Sequence, residues 1–123
     1  MAVTFEGKTS HGGIVEYAWT GETSDAVAQS ITSIGGHFEI VQVSLNVVGT
    51  GSASEEFTGT IDHAKSASLD VEFYAQNMSG QKGTLQRWAN NAGIIVPLGS
   101  DADFAWDNTD SLAWGLSVFV RAE

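Results

Sequence analysis

The sequence predicts an all-β fold, an antiparallel β-sandwich of about eight strands, and three observations support it. Apolar residues recur at every second position in the longest segments, no segment keeps a 3.6-residue period over three turns, and turn-forming residues separate the segments. The chain has 123 residues, of which 42% are hydrophobic, which suits one domain with one core. We expect an N-terminal arm and edge strands in residues 1–35 and the sandwich body in residues 36–123.

The strands are predicted in chain order. Ile14–Thr20 is the first, and an edge strand lies within Ala28–Ile34. In His37–Val48 the apolar positions begin at Phe38 and Ile40 and then change phase, which predicts a long central strand with a bulge near Ile40. Further strands are predicted at Phe57–Asp62, from Leu69 to Ala75, and at Thr84–Trp88, Ile94–Pro97 and Asp103–Trp106.

The last predicted strand spans Leu112 to Val120. Its alternate residues from Leu112 onward are apolar, and Phe119 adds an apolar residue to the other face, so we expect this strand to be buried on both sides near its end. The inward faces of all the strands predict one set of core residues: Phe38, Val43, Leu45, Phe57, Ile61, Leu69, Val71, Phe73, Phe104, Trp106, Leu116 and Val118.

Charge and composition limit the classes of partner. The 15 acidic residues outnumber the 5 basic ones, and the resulting charge of -10 repels nucleic acid and anionic lipid, so neither is an expected partner. The absence of cysteine excludes disulfides, thiolate metal sites and cysteine nucleophiles. The N-terminus lacks the pattern of a secretion signal, and no segment approaches the ~20 apolar residues of a membrane helix. We expect a soluble protein made without a signal peptide.

No motif points to catalysis, so we expect no enzyme, no catalytic residue, no cofactor and no metal. Gly49–Ser54 has two glycines of a dinucleotide-binding motif, but acidic, strand-like residues follow it, which favours a hairpin loop. Four aspartates between Asp101 and Asp110 are compatible with calcium, yet the spacing of a calcium-binding loop is missing, and we interpret Asp107–Asp110 as a turn into the last strand. A small hydrolase using two carboxylates remains a further alternative.

Four tryptophans are many for a chain of this length. Indole rings that are exposed on the surface of a β-sandwich are suited to stack against sugar rings. We expect Trp106 and Trp114 to lie on facing strands of one hairpin and to pack into or beside the core. Trp19 and Trp88 lie in shorter strands bordered by polar residues, and we predict that they contribute to a subunit interface or a ligand site.

The blocks Phe104-Ala105-Trp106-Asp107-Asn108 and Trp114-Gly115-Leu116, together with the strand pattern from residue 36 to residue 120, resemble small structural proteins of tailed bacteriophages. The resemblance implies a jelly-roll-like sandwich and a place on the virion surface after synthesis in the bacterial cytoplasm. It implies most of all a capsid decoration (cement) protein that binds the major capsid protein of the same virus as a homo-oligomer, with a homotrimer favoured. The alternative is a carbohydrate-binding or adhesin module of a phage tail or fibre that uses exposed tryptophans.

Residues 1–35 match this pattern poorly. Within them, Met1–Ser10 contains the apolar residues Val3 and Phe5 without a clear strand pattern, and Lys8 is the only basic residue before Lys65. If the protein is a decoration protein, we expect this segment to be an arm that contacts the shell through Val3, Phe5 and Lys8.

Overall fold

The computed structural model describes residues 3–11, 13–23, 25–32, 36–89 and 92–122, and β-strands dominate it. The single helical element of these ranges is a 3-10 turn, Ala67–Leu69. The strands are β1 (Thr4–His11), β2 (Ile14–Gly21), β3 (Val27–Thr32), β4 (Phe38–Val48), β5 (Glu56–Asp62), β6 (Val71–Asn77), β7 (Gly83–Arg87), β8 (Ile94–Val96), β9 (Asp101–Trp106) and β10 (Ala113–Ala122). The predicted all-β fold is confirmed.

Two antiparallel sheets pack face to face. The first has the order β1-β2-β10-β4-β7, with β8 pairing with β4 beside β7, and the second has the order β3-β9-β5-β6. When β7 and β8 are counted as one position and β1 is set aside, four strands, β2-β10-β4-β7, face four others, β3-β9-β5-β6. This is the connectivity of an eight-stranded jelly roll, to which β1 adds an edge strand.

The bulge predicted in the long central strand is present in β4. Phe119 of β10 pairs with Gln42 while Val120 pairs with Ile40, so Val41 is the extra residue. The insertion keeps Ile40 on the inner face before the bulge and returns Val43 to that face after it, and both are fully buried. The phase change in the sequence therefore has the predicted cause.

A second bulge corrects the prediction for the segment that starts at Leu69. In β6, Glu72 pairs with Thr60 and Tyr74 with Gly59, so Phe73 is the extra residue and both aromatic rings pack against the core. Leu69 is 49% exposed and Val71 is 53% exposed, so neither belongs to the core. Leu69 lies in the 3-10 turn, and Val71 begins an edge strand that has a neighbour on one side only.

The other ten predicted core residues are buried or packed against the core, which lies between the two sheets. Trp106 and Trp114 are both buried, as expected, but the predicted hairpin is wrong because β9 and β10 belong to different sheets. Trp114 lies so close to Gly21 that a Cβ atom at that glycine would be 2.2 Å from the indole ring. The indole of Trp114 thus occupies the space that any larger residue at position 21 needs.

Of the N-terminal arm and edge strands expected in residues 1–35, residues 4–11, which lie mostly in the segment interpreted as an arm, are an edge strand. They form β1, which pairs with β2 along its whole length, and β2 lies inside the sheet between β1 and β10. The pattern was hidden because Phe5 pairs with Trp19 and Gly7 with Ala18, which leaves Glu6 as a bulged residue that interrupts the alternation. Met1 and Ala2 lie outside the described residues.

Candidate functional site

The edge formed by β1 and β2 brings together three residues that the sequence singled out separately. Val3 is partly buried against the core, and the ring of Phe5 lies 5.5 Å from the ring of Trp19, centroid to centroid. Tyr17 stacks on Trp19 at 6.3 Å. We call these four residues, Val3, Phe5, Tyr17 and Trp19, the edge cluster.

Within the edge cluster, exposure differs between its members. Trp19 is 7% exposed and belongs to the core of the monomer, whereas Phe5 is 52% exposed at the margin of the sheet. Phe5 is therefore the member of the edge cluster that is exposed to solvent. The backbone of Lys8 is part of β1, but its side chain lies outside the described part of the structure, so the contact predicted for it is not placed.

Trp88 lies at the opposite edge of the same sheet, apart from Trp19. It follows the last residue of β7, and its backbone N–H donates a hydrogen bond to the carbonyl of Val41 at 3.0 Å. Val41 is the bulged residue of β4. On one side of Val41, β4 pairs with β7, and on the other side it pairs with β8, so Trp88 lies at the junction of β7 and β8. The bulge thus divides the edge of the sheet and places an indole ring where the two short strands meet.

A groove of about 410 Å³ opens at this junction on the outer face of the first sheet. Its lining combines apolar, amide and guanidinium groups: Ile14, Val41, Gln42, Arg87, Trp88, Phe119 and Arg121. Sequence reasoning predicted only Trp88 among them. The signal for this groove in the sequence was Phe119, an apolar residue on an otherwise small and polar face of its strand. We interpreted it as a sign of burial, because the sequence does not show that β10, β4 and β7 are neighbours.

The two arginines of the groove differ in their partners. Arg121 donates from Nη1 to a carboxylate oxygen of Glu39 at 3.0 Å, and the backbone N–H of Gly93 donates to the other oxygen at 2.8 Å. Arg87 donates from Nε to the side-chain oxygen of Gln42 at 3.1 Å. Within the described residues no carboxylate forms an ion pair with Arg87.

The sheets carry different charge. The strands of the first sheet hold three acidic and three basic residues, whereas those of the second sheet hold five acidic residues and no basic one: Glu56, Asp62, Glu72, Asp101 and Asp103. On the first sheet, Ser117 of β10 lies between Ser44 and Ala18 in the register, and its hydroxyl donates a hydrogen bond to the carboxylate of Glu16, so small side chains and one carboxylate occupy the middle of the outer face. The sandwich therefore has one acidic side and one nearly neutral side.

Repulsion within the acidic side raises the pKa of Asp62 above its ordinary value of 3.8. The largest cause is the charge of Asp70, followed by desolvation and by the charges of Asp103 and Asp101. Asp62 and Asp101 are also direct partners in the register of β5 and β9. Like charges placed opposite each other in a sheet destabilise it.

We expect Asp62→Asn to stabilise the protein at neutral pH. Because the pKa of Asp62 is raised in the folded state, the folded chain holds this proton more tightly than the unfolded chain, and wild-type stability increases as the pH falls through the raised pKa. The advantage of Asp62→Asn should therefore be largest above that pKa and disappear below about pH 3.8, the unfolded value. Urea unfolding from pH 3 to pH 8 measures this. Asp107→Asn, an exposed aspartate in the turn after β9, is the control, and an equal effect in both variants would contradict the prediction.

The four aspartates considered for calcium have separate positions. Asp101 and Asp103 lie on β9, and Asp107 lies in the following turn. Asp110 accepts hydrogen bonds from the backbone N–H groups of Ser52 and Ala53, at 3.0 and 2.8 Å, and so ties that turn to the loop after β4. The described part of the chain contains no group of three or more acidic or histidine side chains arranged to hold a metal ion.

Comparison with known proteins assigns no family. No protein-family model matches the chain, and no curated protein is similar to it in sequence. In the ranges that the structure describes, none of the helical segments has the length and hydrophobicity needed to cross a membrane.

Proposed function

We propose that this protein is a structural component of a bacteriophage virion, a capsid decoration protein that binds the outside of the shell as a homotrimer. Its partner would be the major capsid protein of the same virus. Support comes from the resemblance described above and from the jelly-roll connectivity, which recurs in viral capsid and lectin domains. Because one fold serves many functions, the proposal depends on the surfaces of the molecule and not on its fold alone.

The observation that most directly supports this function is the division of charge between the two sheets. An acidic side remains hydrated and repels like surfaces, whereas a nearly neutral side loses less hydration when it is covered, and the half-exposed ring of Phe5 lies at the β1 edge of that same sheet. We infer that the edge cluster contacts the shell and that the acidic side faces solvent. Mass spectrometry of purified particles and light scattering of the free protein test this function. Absence from the particles would overturn the virion role, and a monomer at every concentration would overturn the homotrimer.

We expect Phe5→Ser to weaken attachment to the shell by about three- to tenfold, because the partner would cover the exposed half of an apolar ring that is worth roughly 1.5–3 kcal/mol on full burial. The fold should persist, since this ring is half exposed. Co-sedimentation of the purified protein with undecorated shells measures the binding.

The matched control is Leu85→Ser. Leu85 is 58% exposed on β7, at the other edge of the same sheet, so this variant removes a similar exposed apolar side chain outside the edge cluster. Equal loss of binding in the two variants would mean that attachment depends on general hydrophobicity. Unchanged binding in Phe5→Ser would move the contact away from the β1–β2 edge.

The second candidate function is carbohydrate binding, and Trp88 favours it. Trp19, Trp106 and Trp114 are all buried, whereas Trp88 is only partly buried and lines the groove together with Gln42 and Arg87. Aromatic faces beside polar donors are suited to hold a sugar ring.

A further inference from the structure

The groove at the β7–β8 junction combines aromatic surface with a guanidinium that lacks a carboxylate partner among the described residues. We propose that it binds a saccharide that carries a carboxylate group, with the sugar ring against Trp88 and Phe119 and the carboxylate at Arg87. This inference rests on the second function above, carbohydrate binding, and specifies its ligand.

Trp88 is held in place before any ligand arrives. Its backbone N–H is bonded to Val41, and its ring contacts the ring of Phe73 at 6.1 Å. Phe119 projects from β10 in register with Gln42, so a second apolar ring lies across the groove on a neighbouring strand. A binding surface built on strands and fixed by packing loses little conformational entropy when the ligand binds.

Arg87 is positioned to donate hydrogen bonds to an anion. Its Nε is bonded to Gln42, which leaves the two terminal NH₂ groups for a carboxylate, the group that a guanidinium binds with paired hydrogen bonds. Arg121 already forms an ion pair with the buried carboxylate of Glu39, so Arg87 is the guanidinium of the groove that is left for a ligand carboxylate.

Charge complementarity favours an anionic ligand at this site. The protein has five basic residues against 15 acidic ones, and two of the five line this groove. All the charged residues on the strands of the second sheet are acidic, so the electrostatic field of that sheet repels an anion. The volume of about 410 Å³ lies in the range of small-molecule sites.

A saccharide suits the groove better than an acidic peptide. A peptide that adds to a sheet needs unpaired backbone groups along a strand edge. Here β7 and β8 already pair with this edge of β4. Between them, the carbonyl of Val41 accepts a hydrogen bond from the backbone N–H of Trp88. The free edge of β7 faces away from β4, so the lining of the groove itself consists of side chains and ring faces.

Titration calorimetry of the full chain against oligosaccharides that carry galacturonate, glucuronate or sialic acid, and against neutral oligosaccharides of the same length, tests the proposal. We expect an acidic saccharide to bind at least tenfold more tightly than its neutral counterpart, and Arg87→Gln to remove that preference. Trp88→Ala should weaken both kinds of ligand, with thermal unfolding as the check on its fold. Lys82→Gln, which changes the net charge equally outside the groove, should bind as wild type does.

The outcomes distinguish failure of the anionic ligand from failure of carbohydrate binding itself. Equal binding of acidic and neutral sugars, unaffected by Arg87→Gln, would overturn the anionic ligand and leave carbohydrate binding standing. Binding of no saccharide would overturn both. Competition by polyglutamate as effective as that of the acidic saccharide would show a general anion site and overturn the saccharide assignment.

Discussion

Asn108→Ala is expected to lower the free energy of unfolding by about 3 kcal/mol. Asn108 is buried in the turn between β9 and β10, and its backbone is left-handed, with φ of 54°. Its side-chain NH₂ donates to the carbonyls of Asp25 and Leu112, both at 2.8 Å, and its side-chain oxygen accepts from the N–H of Leu112 at 3.0 Å. Alanine would leave both backbone groups of Leu112 without these partners, at roughly 1 kcal/mol each, and would add about 1 kcal/mol of left-handed strain.

Two further variants separate these contributions. Asn108→Gly tolerates the left-handed backbone but loses the hydrogen bonds, so it should be less destabilising than alanine by about 1 kcal/mol. Asn108→Asp keeps an acceptor for Leu112 and loses both donors. Urea unfolding gives the three values. If alanine and glycine were equally destabilising, strain would play no part, and a loss below about 1 kcal/mol in all three would show that the side-chain bonds do not hold this turn.

Arg121→Met is expected to cost about 3 kcal/mol, because it leaves the buried carboxylate of Glu39 without its counter-ion. Methionine keeps much of the apolar stem of arginine, so the packing along β10 changes little. After the substitution, the N–H of Gly93 is the remaining partner of Glu39 among the described residues. Chemical denaturation of purified protein measures the loss.

The double variant Glu39→Gln with Arg121→Met is the control. The amide oxygen of glutamine still accepts from Gly93, and no charge remains buried, so most of the lost stability should return. If the double variant were as unstable as Arg121→Met alone, the arginine would act through its packing and not through the ion pair.

Local pattern was a reliable guide where it was regular. Residues in β4 alternate with one phase change, and both the strand and its bulge were predicted from that change alone. The same reasoning failed for β1, where the bulge at Glu6 falls so early that too few residues precede it to reveal an alternation. It failed again at Leu69 and Val71, because apolar spacing cannot show that a strand lies at the edge of its sheet.

The candidate site was predicted only in part for a related reason. Trp88 was singled out by its residue type, but Arg87, Gln42, Phe119 and Arg121 belong to three different strands and become neighbours only through the sheet order β10-β4-β7. Strand order depends on which faces are buried together across the whole domain. A sequence pattern records the face of each strand and not its neighbours.

By itself, the sequence determined an all-β sandwich, one central bulge, most of the core and the acidic character, because each depends on residue type and on a period of two along one strand. The tertiary structure alone decided the jelly-roll pairing, the contact of Phe5 with Trp19, the burial of Asn108 and the division of charge between the sheets. These features join residues from 14 to more than 80 positions apart, as the pairs Phe5–Trp19 and Asn108–Asp25 illustrate. Their proximity depends on the packing free energy of the whole domain and not on any local pattern.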